Sequence, residues 1–122
     1  MKSKLIKNKN LNNGQETLIY YPQPDKEFEG QVAEIFDRED YKEGKVKDGI
    51  YVDLGANIGL TALYFKDYAK KYYAVEPSRL CFETLRKNTE GMPNVELFNF
   101  AASPVDGEDY LLTIDSNTPP QS

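Results

Sequence analysis

Three short apolar runs mark the second half of the chain. They are rich in β-branched and aromatic residues and are bounded by glycine, proline or charged residues. The runs are Ile50 to Leu54, Tyr72 to Val75 and Val95 to Phe100. Their length and composition predict three strands, of which the first is apolar enough to be buried on both faces of a sheet.

Apolar residues recur with a helical period between these runs. The stripe after the first run consists of Ile58, Ala62, Phe65 and Ala69. After the second run, Ser78 is a good N-cap for a helix that reaches about Asn88. Phe82 and Leu85 on that helix would face the sheet. Alternation of strands and helices at such short spacing predicts an α/β fold with a parallel sheet and right-handed crossovers.

Residues 1–48 precede this sheet and form the first of two predicted segments. The first ten residues hold four lysines and no acidic residue, which indicates a solvated, frayed terminus. Leu18 to Tyr21 predicts a short strand that Pro22 ends. Gly30 to Tyr41 predicts an amphipathic helix with an acidic outer face. The second segment, residues 49–122, contains the predicted sheet.

Composition narrows the chemistry that is available. The 122 residues include no histidine and one cysteine, Cys81. This excludes Ser-His-Asp and Cys-His catalysis, histidine metal sites, cysteine-ligated zinc and an internal disulfide. The formal net charge of -5 argues against a nucleic-acid surface, which needs a basic face. No apolar run approaches the roughly 18 residues of a membrane span, so we expect a cytoplasmic protein without a membrane partner. Because histidine and cysteine sites are excluded, we also expect no metal.

A loop that contains two glycines, DLGANIG, follows the first strand from Asp53 to Gly59. Gly55 allows the chain to turn sharply out of the strand, and Gly59 allows the next helix to begin close to the sheet. Asn57 stands where a positive φ is expected, which asparagine tolerates better than other non-glycine residues. A helix beginning near Ile58 would point its free N–H groups into the crevice where such sheets bind ligands.

Glu76 ends the second strand, 23 residues after Asp53. A carboxylate there can accept hydrogen bonds from both hydroxyls of a ribose. The dinucleotide pattern G-x-G-x-x-G is absent because Asn57 replaces its middle glycine, and the Walker pattern is absent because Leu60 stands where lysine is needed. Asp53 would repel phosphate but could hold an ammonium group. S-adenosylmethionine, which has a ribose and an amino-acid end, fits these features.

The segments VDLGANIGLTALYF, AVEPS and NVELFNFAAS together resemble the FkbM-like family of class I S-adenosylmethionine-dependent methyltransferases. In that family D-x-G-A-N-x-G is the first cofactor motif and E-P the second. The stretch EIFDREDY, Glu34 to Tyr41, is similar to the helix that precedes the first motif in many members. The resemblance covers about Gln31 to Ser116 and implies a doubly wound, Rossmann-like sheet.

The resemblance also implies roles for individual residues. The methionine part of the cofactor would be bordered by Asp53, Gly55, Ala56, Asn57 and Gly59. Thr61 would add a hydroxyl, and Glu76 would hold the ribose. The adenine would be bordered by Pro77 and Ser78 and by backbone groups of Ala101.

The chain departs from the family after the third strand. Family members continue into a fourth parallel strand with a motif such as K-x-D-x-E-G, whereas this chain has a hairpin-type turn at Asp106-Gly107 and a strand from Tyr110 to Ile114. We therefore expect a partial sheet of three parallel strands with crossover helices and a β-hairpin, with the C-terminal half absent. The first strand would be an open edge, so we expect a homo-oligomer or a second chain that completes the sheet.

The implied activity is methyl transfer to an oxygen of a small molecule or glycan, with this chain as the cofactor-binding half. No residue is identified as a catalytic base. Two alternatives stay open. One is a non-catalytic module that keeps part of the fold. The other is an RNA methyltransferase, which would place an acidic residue where this chain has Ala101-Ala102-Ser103.

Two groups of residues outside the motifs also have competing interpretations. Glu34 and Tyr41 could reach the cofactor from the preceding helix, but that interpretation is not the favoured one. Tyr64, Tyr68, Tyr72 and Tyr73 could stack on a ligand, but packing or interface roles are favoured.

Overall fold

The computed structural model describes residues 1–22 and 27–100. The strands are β1 (Lys2–Ile6), β2 (Thr17–Tyr21), β3 (Gly49–Leu54), β4 (Ala69–Val75) and β5 (Val95–Phe98). The α-helices are α1 (Glu27–Val32), α2 (Leu60–Tyr64) and α3 (Arg79–Asn88). A π-helical turn (Ala33–Asp37) continues α1, and short 3-10 turns lie at Asn12–Gly14 and Lys42–Gly44.

Strands β3, β4 and β5 form a parallel sheet in that order. Because the strand order advances in one direction, right-handed crossovers place α2 and α3 on the same face of the sheet. Tyr72 and Ala74 of β4 point into that face and are buried in one cluster with Phe82 and Leu85 of α3. The predicted α/β fold with a partial, Rossmann-like parallel sheet is confirmed.

The opposite face of β3 is not covered by any of the described residues. Ile50, Val52 and Leu54 are 61 %, 66 % and 63 % exposed. The prediction that this strand is buried on both faces is therefore wrong for the described part of the chain. The apolar run is suited to a sheet covered on both sides, but both described crossovers lie on one side. In the described sheet β3 pairs only with β4, so it is an edge strand, as predicted.

The N-terminus forms a hairpin instead of the frayed segment that its composition suggested. β1 pairs with β2 in antiparallel register from Lys2↔Tyr21 to Ile6↔Thr17. An antiparallel ladder is built from backbone hydrogen bonds, so a mostly exposed strand can form when its partner is held in place. Ile19 of β2 is buried, and the Asn88 side chain bonds both the N–H (2.7 Å) and the C=O (2.8 Å) of Tyr20.

Two helices differ from their predicted bounds. The helix after the loop ends at Tyr64, and Ala69, which the helical stripe included, begins β4 opposite Gly49. Successive turns close that helix, with Tyr68 N–H donating to the carbonyl oxygen of Phe65 at 2.9 Å. The helix predicted from Gly30 to Tyr41 lies within 27–37 instead. No described helix is long and apolar enough to cross a bilayer.

Other predictions hold or fall outside the described residues. α3 begins after Ser78, whose Oγ accepts a hydrogen bond from the N–H of Cys81 at 3.3 Å, so this N-cap is confirmed. β5 ends at Phe98, two residues earlier than predicted. The hairpin turn at Asp106-Gly107, the strand Tyr110 to Ile114 and the site residue Ala101 lie outside the described residues.

Candidate functional site

The loop between β3 and α2 uses three left-handed residues. Gly55, Asn57 and Gly59 have φ of 85°, 54° and 95°, which confirms the positive φ predicted for Asn57. A Cβ on Gly59 would lie 2.8 Å from Cδ1 of Leu85 and 3.4 Å from Cγ2 of Thr89. The close approach that requires glycine here is therefore to α3, whereas the sequence suggested an approach to the sheet.

The amide groups of this loop are bonded within the protein. The N–H groups of Gly55 and Ala56 both donate to the carbonyl oxygen of Val75, at 2.8 and 2.9 Å. Asn57 N–H donates to Oε1 of Glu76 at 2.7 Å, and Gly59 N–H to the carbonyl oxygen of Ala56 at 3.0 Å. The bond made by Gly59 runs against the expectation of free amides at a helix beginning near Ile58, whereas Gly55, Ala56 and Asn57 precede that helix. α2 begins two residues later, at Leu60, and is only five residues long.

Glu76 joins the ends of the first two parallel strands. Its side chain is buried, and Oε1 accepts from Asn57 N–H while Oε2 accepts from Ser78 N–H at 2.8 Å. One carboxylate therefore fixes the glycine loop and the start of α3 relative to each other. Each carboxylate oxygen has a second lone pair, so the group can still accept a hydrogen bond from a ligand hydroxyl.

Asn99 is a residue of this site that the sequence analysis did not identify, because it lies within the predicted strand Val95 to Phe100. It is completely buried after β5, and its Nδ2 donates to the carbonyl oxygens of Glu76 (2.8 Å) and Pro77 (3.3 Å). Its Oδ1 accepts from Arg79 Nη1 at 3.4 Å. A polar amide within an apolar run was the available signal, since a buried amide needs partners. Through these two hydrogen bonds, Asn99 fixes the backbone of the turn at Glu76 and Pro77.

Asp53 faces the core side of the sheet. Its Oδ2 accepts a hydrogen bond from the Tyr72 hydroxyl at 2.6 Å. Burial raises the pKa of Asp53, and the Tyr72 hydroxyl opposes that shift. Burial and the Asp53 charge together raise the pKa of Tyr72 far above its usual value, so Tyr72 remains a neutral donor. Tyr64 and Tyr72 are buried in the core, which confirms the predicted packing role for these two residues, whereas Tyr68 and Tyr73 are half-buried.

A cavity lies between the glycine loop and the helix that precedes the sheet. The loop side is lined by the predicted residues Gly55, Ala56, Asn57 and Thr61. The helix side contributes Gln31, Glu34 and Tyr41, and the Tyr41 hydroxyl donates to Oε1 of Glu34 at 3.3 Å. The structure thus brings Glu34 and Tyr41 to the cavity beside the loop, a placement that the sequence did not favour.

The other predicted site residues that the structure describes do not line this cavity. Glu76 borders the loop through its bond to Asn57, and Pro77 and Ser78 are exposed beside it at the start of α3. Gly59 is buried beneath the loop against α3. Asp53 is hydrogen-bonded to Tyr72.

Comparison with known proteins shows the fold and no closer relationship. No family model matches the chain, and no curated protein matches it. Five solved chains match. One is yhhF from Escherichia coli, described as a "putative methyltransferase", with a TM-score of 0.55 and 17% sequence identity over 81% of this chain and 54% of that chain.

The match spans about half of the length of yhhF. The resemblance to the FkbM-like family stays a prediction, because no family model supports it. The described part of the chain has a partial Rossmann-like α/β fold, shared with yhhF, the protein described as a "putative methyltransferase".

Proposed function

We propose that this chain is the cofactor-binding part of an S-adenosylmethionine-dependent methyltransferase. The observation that carries the proposal is the 2.7 Å hydrogen bond between Asn57 N–H and Glu76 Oε1. It brings the loop after β3 and the carboxylate after β4 to one edge of the sheet, the edge at which parallel α/β sheets bind ligands. The shared fold with yhhF supports the same class of activity.

The donor set favours this cofactor over a dinucleotide. A pyrophosphate needs free backbone N–H groups, and the amides of Gly55, Ala56 and Asn57 are already bonded to Val75 and Glu76. Glu34, the charged residue in the described wall of the cavity, is acidic, which disfavours phosphate further. A ligand whose end at the loop includes an ammonium group suits this environment better.

The residues of this chain would bind the cofactor in two regions. The methionine end would lie against Gly55, Ala56, Asn57 and Thr61. The remaining lone pairs of Glu76 would accept the ribose hydroxyls, and the exposed Pro77 and Ser78 would border the adenine, as would Ala101. When bound, S-adenosylmethionine supplies an electrophilic methyl group on its sulfonium sulfur.

The contribution of the protein is then binding, orientation and exclusion of water at the carboxyl edge of the sheet. Glu76 supports this by fixing the glycine loop and the start of α3 relative to each other. Asn99 adds support by fixing the turn at Glu76 and Pro77. We propose an oxygen of a small molecule or glycan as the methyl acceptor, by analogy with the resembling family. We also propose that a second copy or another chain completes the sheet beside β3.

Calorimetric titration of the full chain with S-adenosylhomocysteine, S-adenosylmethionine and NAD tests the proposal. The two adenosyl ligands should bind and NAD should not. Tighter binding of NAD than of either adenosyl ligand would overturn it. A methyl-transfer assay of the chain mixed with candidate acceptors, including an RNA oligonucleotide, then separates the classes of acceptor.

A non-catalytic module is the second candidate, favoured by the exposed apolar face of β3. Full affinity for S-adenosylhomocysteine without methyl transfer to any acceptor, even after a sheet-completing partner is supplied, would support it.

A further inference from the structure

The charge of the cavity beside the glycine loop comes from one residue. Of the described residues that line it, Glu34 alone carries a charge. Two carboxylates close to it in the chain have cationic partners: Glu39 pairs with Lys45 at 3.0 Å and Asp40 with Arg38 at 3.3 Å. Among the described residues, Glu34 has no cation at ion-pair distance. Within residues 1–22 and 27–100, the one side chain that donates a hydrogen bond to its carboxylate is Tyr41, through its hydroxyl.

The electrostatic environment beside Glu34 is negative. Burial raises the pKa of Tyr41, and the neighbouring carboxylates of Glu34, Asp40 and Asp53 raise it further. The Tyr41 hydroxyl therefore stays protonated and serves as a donor to Oε1 of Glu34. Oε2 of Glu34 and the second lone pair of Oε1 stay open to a donor from the ligand.

Asp53, the residue that the motif pattern offers for an ammonium group, is less suited to that role here. It does not line the cavity, and its Oδ2 is taken by the Tyr72 hydroxyl at 2.6 Å. Glu34 belongs to the π-helical turn that packs over the loop, so its carboxylate reaches the cavity from the opposite side.

We infer that Glu34 selects ligands that carry a primary ammonium group at the glycine loop, with Tyr41 as the residue that positions its carboxylate. The inference rests on the proposed function, since it names the group that recognises the amino-acid end of the adenosyl ligand. A charge-assisted hydrogen bond between a carboxylate and an ammonium is the interaction expected.

The test compares two probes on the full chain by calorimetry. S-adenosylhomocysteine has the α-ammonium group, whereas 5′-methylthioadenosine has the same thioether nucleoside without the amino-acid end. Glu34→Gln, which keeps size and removes charge, should weaken S-adenosylhomocysteine binding by roughly 10- to 100-fold. It should leave 5′-methylthioadenosine unchanged. Tyr41→Phe should show a smaller loss, again for S-adenosylhomocysteine only.

Glu43→Gln is the matched control, because Glu43 is an exposed carboxylate nearby that does not line the cavity. It should leave both affinities unchanged, and thermal melting should show that all variants fold. If Glu34→Gln binds S-adenosylhomocysteine as the wild type does, or loses both probes equally, the inference is overturned while the proposed function stands. If the wild type binds no S-adenosylhomocysteine, both are overturned.

Discussion

Replacing Glu76 with glutamine should destabilise the protein even without a ligand. The carboxylate is 7 % exposed and accepts two backbone N–H groups, from Asn57 at 2.7 Å and Ser78 at 2.8 Å. Glutamine has one acceptor oxygen, so its NH₂ group would face one of the two N–H donors. One charge-assisted hydrogen bond is lost and one amide is left unpaired, which should lower the free energy of unfolding by about 1.5–3 kcal/mol.

Chemical denaturation followed by circular dichroism measures this loss. Glu76→Ala removes both acceptors and should cost about 3–5 kcal/mol, a large share of the stability of a small domain. Glu83→Gln on α3 is the control. Glu83 is an exposed partner of Arg86 at 2.7 Å, and its loss should cost no more than about 1 kcal/mol.

Glu76→Gln and its control Glu83→Gln also test ligand binding. If Glu76 also accepts ribose hydroxyls, Glu76→Gln should weaken S-adenosylhomocysteine by about 1.5–3 kcal/mol at a temperature where the variant is folded. A Glu76→Gln protein as stable as the Glu83→Gln control would show that the two backbone bonds do not fix the loops, and the reasoning would fail.

Three further predictions concern the loop, the buried carboxylate and the exposed sheet face. Gly59→Ala should lower stability by about 2–4 kcal/mol, because its φ is 95° and the added Cβ meets α3, whereas Gly30→Ala in α1, where a Cβ meets no atom within 4 Å, should be neutral or stabilising. Equal melting temperatures for the two variants would contradict this. The raised pKa of Asp53 makes its stabilising contribution full below its unfolded pKa and lost as pH rises through the folded pKa, so Tyr72→Phe, which removes the opposing hydroxyl, should cost more at pH 7 than at pH 4 in urea unfolding. A pH-independent cost would count against a charged Asp53. Val52→Thr on the exposed face of β3 should reduce self-association, measured by size-exclusion chromatography with light scattering. A wild-type protein that is monomeric in the same measurement would refute an interface at this strand.

Much of the local structure follows from the sequence, because it depends on the conformational preferences of a few adjacent residues. The run Ile50 to Leu54 folds as a strand, Asn57 adopts a positive φ, and Ser78 caps the helix that follows it. Each depends on steric limits or on a side chain that reaches its own backbone. The parallel arrangement also follows, since short strand–helix–strand units admit one handedness.

Only the tertiary structure decided the contacts between residues far apart in the chain. Sequence could place Glu76 after a strand, but only the packed loops show that its carboxylate holds two backbone amides. Composition could not reveal that β1 would pair with β2, because β1 forms through backbone hydrogen bonds to β2. Asn99 and Glu34 have neighbours that only the fold brings close: the Glu76-Pro77 turn for Asn99, and the cavity beside the glycine loop for Glu34. Local sterics are encoded residue by residue, whereas the partner of a buried polar group is fixed only when separate elements pack together.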